Sequence, residues 1–291
     1  MAIRGQIVFS MIAAALIASA CQTATLPAML VDPPRDAAHP ARMEVLHIPS
    51  GGVEINGVAY LASGDGTHPT LIIAHGWPGN EKNLDLAQAV RRAGWNAVTF
   101  NYRGSWGSPG EFHFAQVPED AAAVIAWLRR PEVAAKYGID PAKIALAGHS
   151  MGGWATAQVA SKDPALIGAV LISAADMARL GDMPRAAAIG AASGNAETLV
   201  TTPEKMADEL AAVVKTLPLK LTADGLAKLP VLILSSDDGL AAGTDALAAA
   251  IRQAGGKVET AHEATDHSWS DRRIRLAGLV IDWLKALPGA K

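Results

Sequence analysis

A serine framed by glycines, in the run Gly148-His149-Ser150-Met151-Gly152, directly follows the apolar stretch Ile144-Ala145-Leu146-Ala147. A serine hydroxyl is a weak nucleophile at neutral pH. Acyl transfer therefore needs it exposed on a tight turn, with a base at hand and backbone N–H donors nearby. The glycines suit that turn. Gly148 removes a side chain where the elbow brings backbone segments together, and Gly152 with Gly153 lets a following helix pass close to neighbouring strands. By itself the pentapeptide is a weak signal in a chain rich in alanine and glycine. The strand before it and the helical stretch Trp154 to Ala160 behind it turn it into a strand–nucleophile–helix junction, with Ser150 as the candidate nucleophile.

Upstream, Thr70-Leu71-Ile72-Ile73-Ala74 reads as a buried strand that runs straight into His75-Gly76-Trp77-Pro78-Gly79. An acyl-transfer intermediate carries a negative oxygen, and backbone N–H groups fixed in advance stabilise it. The expected donors are the N–H of Met151, just after the nucleophile, and that of Trp77. His75 opens the loop and is expected to orient it by hydrogen bonding rather than to act as the base. With an HGxPG loop followed by a GHSMG elbow, in this order and spacing, the chain resembles the α/β-hydrolases.

That resemblance implies an acid and then a histidine downstream of the serine, each on a loop that follows a strand. Val231-Leu232-Ile233-Leu234 is a short apolar run introduced by Pro230, and Ser235-Ser236-Asp237-Asp238-Gly239 is its loop. Asp238 is the implied acid. The segment is similar to the family's strand-GxxD loop with one residue missing and Ser236 in place of the usual glycine, so Asp237 remains an alternative. Asp176, after the preceding strand Ala169-Val170-Leu171-Ile172-Ser173, is another, because some family members place their acid there. For the base the resemblance points to His267, which follows the strand-like Lys257-Val258-Glu259-Thr260 and precedes the last helix. His262 is the rival. The base would take the Ser150 proton and return one to the leaving group, while the acid fixes its tautomer.

No metal or cofactor is indicated. His262 and His267 are not part of an HExxH or paired-cysteine pattern, and Cys21 is the sole cysteine. The glycines of the 103–110 stretch lack a P-loop lysine and read as a loop, and the resemblance to the hydrolases implies that Arg103 holds the neighbouring loops. The chain has 291 residues, half of them hydrophobic, enough for one large core. With 25 basic and 28 acidic residues and no charge block, nothing points to a nucleic-acid partner.

The first twenty residues carry Arg4, then the mainly apolar stretch Ile7 to Ala18, then the small residues Ala18-Ser19-Ala20. This is the pattern of an export signal, 1–20, too short for a spanning helix. Cys21 follows, and Ala18-Ser19-Ala20-Cys21 resembles a bacterial lipobox. The expectation is an exported protein, periplasmic or attached to the envelope membrane through a lipidated Cys21. Residues 21–41, rich in Pro, Ala and Asp without periodicity, would tether it.

The elements that must position these groups follow over residues 42–291. Glu44 to Ile48 and Val53 to Leu61 alternate well enough for an initial hairpin around Ser50-Gly51-Gly52. Then come a helix from Leu84 to Ala93, a strand from Trp95 to Asn101, a helix from Val117 to Arg129, and the nucleophile strand. Such alternation predicts an α/β fold, a mostly parallel sheet with helices on both faces. Residues 176–228 exceed one crossover helix and are expected as a helical lid. Its helix starts at Thr202-Pro203, and its apolar stripe is Met206, Leu210, Val213, Val214 and Leu217.

The function implied is a serine hydrolase acting on a small-molecule acyl substrate, with small carboxylic esters first because the minimal machinery suffices. The 102–110 and 266–273 segments also resemble exported hydrolases grouped with acylaminoacyl or dipeptidyl peptidases, so amide hydrolysis is the second reading. A non-catalytic binding member of the fold is the third; it would predict a broken triad, and no triad position is visibly broken. Haloalkane chemistry is disfavoured, because those relatives place Asp at the nucleophile.

Overall fold

In the computed structural model, which describes residues 27–289, the expected alternation becomes one eight-stranded sheet. The export signal and Cys21 lie outside the described residues. The strands are β1 (Arg42–Ser50), β2 (Val53–Leu61), β3 (His68–Ala74), β4 (Asn96–Phe100), β5 (Ile139–His149), β6 (Gly168–Ile172), β7 (Val231–Ser236) and β8 (Val258–Glu263). Their order across the sheet is β1-β2-β4-β3-β5-β6-β7-β8. β2 runs antiparallel to both β1 and β4, and every other pairing is parallel. The β1–β2 hairpin turns on two residues, Gly51 and Gly52, with φ of 54° and 85°. That doubly left-handed turn matches the twist of the strands it joins.

The helices are α1 (Leu84–Arg92), α2 (Gln116–Leu128), α3 (Pro131–Tyr137), α4 (Met151–Ala160), α5 (Arg185–Ser193), α6 (Pro203–Ala212), α7 (Ala223–Leu226), α8 (Ala241–Gln253) and α9 (Arg273–Ala286). Side chains alternate across the central strands. Ile72, Leu146, Leu171 and Ile233 enter a core shared with α2, α4 and α8, while Leu71, Ile73, Val170 and Leu232 enter one shared with α1 and α9. Because both faces are covered, β4, β6 and β7 are buried at every residue; β6 and Val231 to Leu234 of β7 read as continuous apolar runs rather than alternating ones. In the stretch expected as a tether, Ala28–Leu30 form a 3-10 turn, and Arg92 donates to the Met29 carbonyl at 2.7 Å.

Arg103 has the structural place expected of it. Its Nε donates to the buried carboxylate of Asp120 at 2.6 Å, its backbone N–H donates to the other oxygen at 2.9 Å, and Ser50 Oγ donates to the same group. One α2 side chain thus ties the hairpin turn to the loop after β4.

The 176–228 segment packs on the body of the fold. Thr202 caps α6, accepting from the Lys205 N–H at 3.2 Å with Pro203 in the first turn. Met206, Leu210 and Val214 are buried, but Val213 is 41% exposed. The helix ends at Ala212 and gives way to a 3-10 turn, so the phase of the stripe slips there and Val213 faces outward. Glu209 accepts from the N–H groups of Phe114 and Ala115 at 3.0 and 2.8 Å, at the start of α2. The Trp106 N–H donates to the Thr198 carbonyl and the Val200 N–H to the Gly104 carbonyl, which fastens the segment along the loop that follows β4.

Candidate active site

β5 ends at His149 and α4 starts at Met151; between them Ser150 takes φ 57° and ψ −119°. A side chain in that conformation costs of order 1–3 kcal/mol, so its surroundings must hold it. The Ser150 N–H donates to the Ile172 carbonyl at 3.0 Å, and the Ser150 carbonyl accepts from the N–H groups of Gly153, Trp154 and Ala175. The glycines do what the sequence asked of them. A Cβ on Gly148 would stand 2.0 Å from the Gly152 carbonyl oxygen, and one on Gly152 would stand 2.1 Å from that of Ala74 in β3. Met151 opens the helix, so its N–H has no intrahelical acceptor.

The His75–Gly79 loop leaves β3 beside this elbow. A Cβ on Gly76 would lie 3.0 Å from Ser150 Cβ and 3.3 Å from His149 Nδ1. His75 is buried; its Nδ1 bonds the Gly76 carbonyl at 2.7 Å, and Tyr102 Oη donates to its own carbonyl at 2.9 Å. Burial pushes its pKa down to about 4. A neutral ring that bonds its own loop through Nδ1 suits an orienting role. Trp77 is packed edge-to-face on Phe114, with 5.2 Å between ring centroids, and Trp106 Nε1 donates to the Pro78 carbonyl at 2.8 Å.

Asp238 and His267 meet. His267 Nδ1 lies 2.7 Å from Asp238 Oδ2, and the Asp238 side chain is 4% exposed against 39% for the histidine. Burial alone would raise the carboxyl's pKa. Hydrogen bonds from His267, the Leu240 N–H and Ser236 outweigh it and hold the group below its ordinary value. The rivals pair with each other instead. His262 Nε2 lies 2.9 Å from Asp237 Oδ1, and its Nδ1 lies 2.9 Å from Ser235 Oγ. Asp176 accepts from the Leu219 N–H at 3.1 Å and so serves the 176–228 segment.

Among the described residues, His267 bonds Asp238 and, through its carbonyl, His149, but not Ser150. Serine–histidine bonds of this kind often form fully only when substrate is bound. Among the described residues, no three His, Cys, Asp or Glu side chains are grouped to hold a metal ion.

Several supporting residues were not foreseen. Trp269 is wholly buried and donates from Nε1 to Ser173 Oγ at 3.0 Å; Ser173 shares a 2.8 Å hydrogen bond with Ser236, and Ser236 bonds Asp238. This string ties the base loop, the end of β6 and the acid loop together. The Asp237 N–H adds a bond to the Thr265 carbonyl at 3.1 Å. Ser236 was visible only as a departure from the family's glycine, and its hydroxyl gives that departure a use.

The alpha/beta hydrolase family model matches residues 71–279, and the chain belongs to that family. Among solved structures the fold is similar to EstE1, a thermophilic carboxylesterase cloned from a metagenomic library. That pair shares 21% identity over 85% of this chain and 90% of the other, with a TM-score of 0.63. It is also similar to the acylaminoacyl peptidase of Pyrococcus horikoshii, at 16% identity over 86% of this chain and 42% of that one, with a TM-score of 0.66. An uncharacterized protein of Mycobacterium tuberculosis is 28% identical over 121 residues, 41% of each chain, so the match spans about two fifths of that curated relative's length.

Proposed function

We propose that this chain is a serine hydrolase that cleaves small carboxylic esters through an acyl-enzyme on Ser150. The observation that carries this reading is the dry Asp238 carboxylate against His267, on loops at the same carboxyl-terminal end of the parallel strands as the strained Ser150 elbow. In this mechanism Ser150 Oγ attacks the ester carbonyl carbon and passes its proton to His267 Nε2. The carbonyl oxygen, now negative, is held by the N–H groups of Met151 and Trp77. Collapse of the intermediate expels the alcohol, which takes the proton from His267. Water then repeats the sequence on the acyl-enzyme, releasing the acid and restoring Ser150. Asp238 holds the imidazole in the tautomer that leaves Nε2 free to accept.

Esters are favoured over amides because an alcohol leaves with less help from a proton donor. The 176–228 segment, read as a lid, carries no aromatic residue and suits small soluble acyl groups rather than a lipid interface. The chain is proposed to work outside the cytoplasm, after removal of residues 1–20, either free in the periplasm or held at the envelope by a lipidated Cys21. Among the described residues no helix is long and apolar enough to cross a membrane.

A fluorophosphonate probe tests the core of this reading. It is expected to label Ser150, and Ser150→Ala is expected to lose labelling together with about a thousandfold or more of turnover on p-nitrophenyl acetate to hexanoate. Labelling at another residue overturns the assignment. Higher kcat/KM on aminoacyl amides than on these esters replaces esterase by peptidase.

A further inference from the structure

His149, the residue before the nucleophile, is 4% exposed and reaches from the elbow to both the His75–Gly79 loop and the loop that bears His267. It ends β5 at the elbow itself. Its Nδ1 stands against Gly76 of the His75–Gly79 loop, 3.3 Å from where a Cβ would be. Its Nε2 lies 2.8 Å from the backbone carbonyl of His267, and the two imidazole rings are 4.6 Å apart between centroids.

The partners settle the tautomer. A carbonyl oxygen only accepts, so Nε2 carries the hydrogen and Nδ1 is left as a bare lone pair. Among the described residues that lone pair is buried without a hydrogen-bond partner. Leaving such a group unmet costs about 1–3 kcal/mol. An apolar side chain of similar size would avoid that cost but would lose the one bond that runs from the nucleophile's neighbour to the backbone of the base.

From this geometry we infer that His149 is a positioning residue, whose Nε2–H pins the His267 carbonyl and thereby sets how the base loop sits over the nucleophile elbow. The inference rests on the serine-hydrolase reading. Burial first, then the nearby His267, pushes the His149 pKa down to about 4, with a smaller push from Arg273, against opposing pulls from the hydrogen bond to the His267 carbonyl and from Asp238. The ring therefore stays neutral around pH 7 and adds no charge beside the imidazolium that forms on His267 during turnover. Misplacing a base by about an ångström lowers turnover by up to about a hundredfold while leaving substrate binding nearly intact.

The test compares His149→Leu, which fills similar space without a donor, with His149→Gln, whose amide N–H can reach the same carbonyl. On a p-nitrophenyl ester, Leu is expected to lower kcat about ten- to a hundredfold with KM within about threefold, and Gln is expected to stay within about fivefold of wild type. Folded Leu protein with kcat within threefold of wild type overturns the proposal. So does Gln no better than Leu, or a loss that falls on KM alone. Nitrogen-15 NMR of the unaltered protein supplies an arm that needs no variant. His149 is expected as a neutral ring protonated at Nε2, and the Nδ1–H tautomer or a charged ring at pH 7 refutes it. Ser150→Ala, run alongside, separates the two readings: wild type that is no more active than this variant breaks the hydrolase reading, while the NMR arm still reports on His149.

Discussion

Asp238 with His267 and Asp237 with His262 are chemically the same pair, drawn from adjacent aspartates and from histidines five residues apart, yet they are built differently. The Asp238 side chain is 4% exposed and Asp237 is 62% exposed. Asp238 is further held by Leu240 and Ser236, and the loop bearing His267 is anchored by the buried Trp269. His262 has both ring nitrogens engaged, one by Asp237 and one by Ser235. Ser235-His262-Asp237 is thus a second Ser–His–Asp string. Its serine is buried within β7 rather than raised on an elbow, and no helix starts behind it to supply N–H donors. Residue types alone therefore do not make a catalytic set. The proposed set differs in its dry carboxylate, its carboxylate-bound histidine and its serine on a strained turn.

The comparison breaks most decisively at the two histidines. His267→Ala is expected to lower kcat/KM on a p-nitrophenyl ester by about a thousandfold or more, and His262→Ala to stay within about threefold. The acids should follow in the same order. Asp238→Asn removes the acceptor that fixes the imidazole tautomer and is expected to cost about a hundred- to ten-thousandfold in kcat, while Asp237→Asn costs about threefold at most. If Asp237→Asn proves the crippling change, the two pairs have exchanged roles and the Asp238–His267 contact is only structural.

How far these pairs were legible in the sequence depends on what decides each one. The elbow could be read because Gly148 and Gly152 are required by contacts of 2.0 and 2.1 Å that no other residue allows, and such demands leave a fixed pattern. The strands could be read because burial on both faces makes them continuous apolar runs. The register of the acid could not be fixed, since Asp237 and Asp238 are identical letters and only three-dimensional burial separates them. His149 passed as a variable position of the motif, because its bond reaches a backbone carbonyl 118 residues away. The slip at Val213 came from a helix ending at Ala212, one residue before it and short of the rest of the stripe, and helix ends are the least legible feature of a periodic segment.

The contrast between buried and exposed histidines also predicts how stability responds to acid. His75 and His149 are each pushed down by burial from the ordinary 6.5 to about 4. Below about pH 6.5 the unfolded chain takes up protons at these positions that the folded chain refuses. Their contribution is complete above that pH and is lost progressively down to about 4. Each ring accounts for up to about 3 kcal/mol across that window. The Asp238 carboxyl is depressed too, but from a lower ordinary value, so its contribution is lost only at lower pH, below 3.8. Urea unfolding at pH 7, 5.5 and 4 is expected to show falling stability, with about half the slope removed in His149→Gln. A flat profile would mean that these rings take up protons as readily in the folded chain as in the unfolded one.

The smallest effect is expected at Ser235. Its hydroxyl bonds His262 Nδ1 at 2.9 Å, and His262 in turn bonds Asp237, one residue from the proposed acid. Ser235→Ala removes one neutral hydrogen bond to a half-exposed partner that water can satisfy in its place, so stability should fall by about 0.5–1 kcal/mol, or about 1–4 °C in Tm. Asp238 keeps its own bonds to Ser236 and Leu240, so kcat should stay within about twofold of wild type. A tenfold fall in kcat with Tm unchanged would show that the outer Ser–His–Asp string sets the position of the inner pair, and the division between a catalytic and a bracing pair would no longer hold.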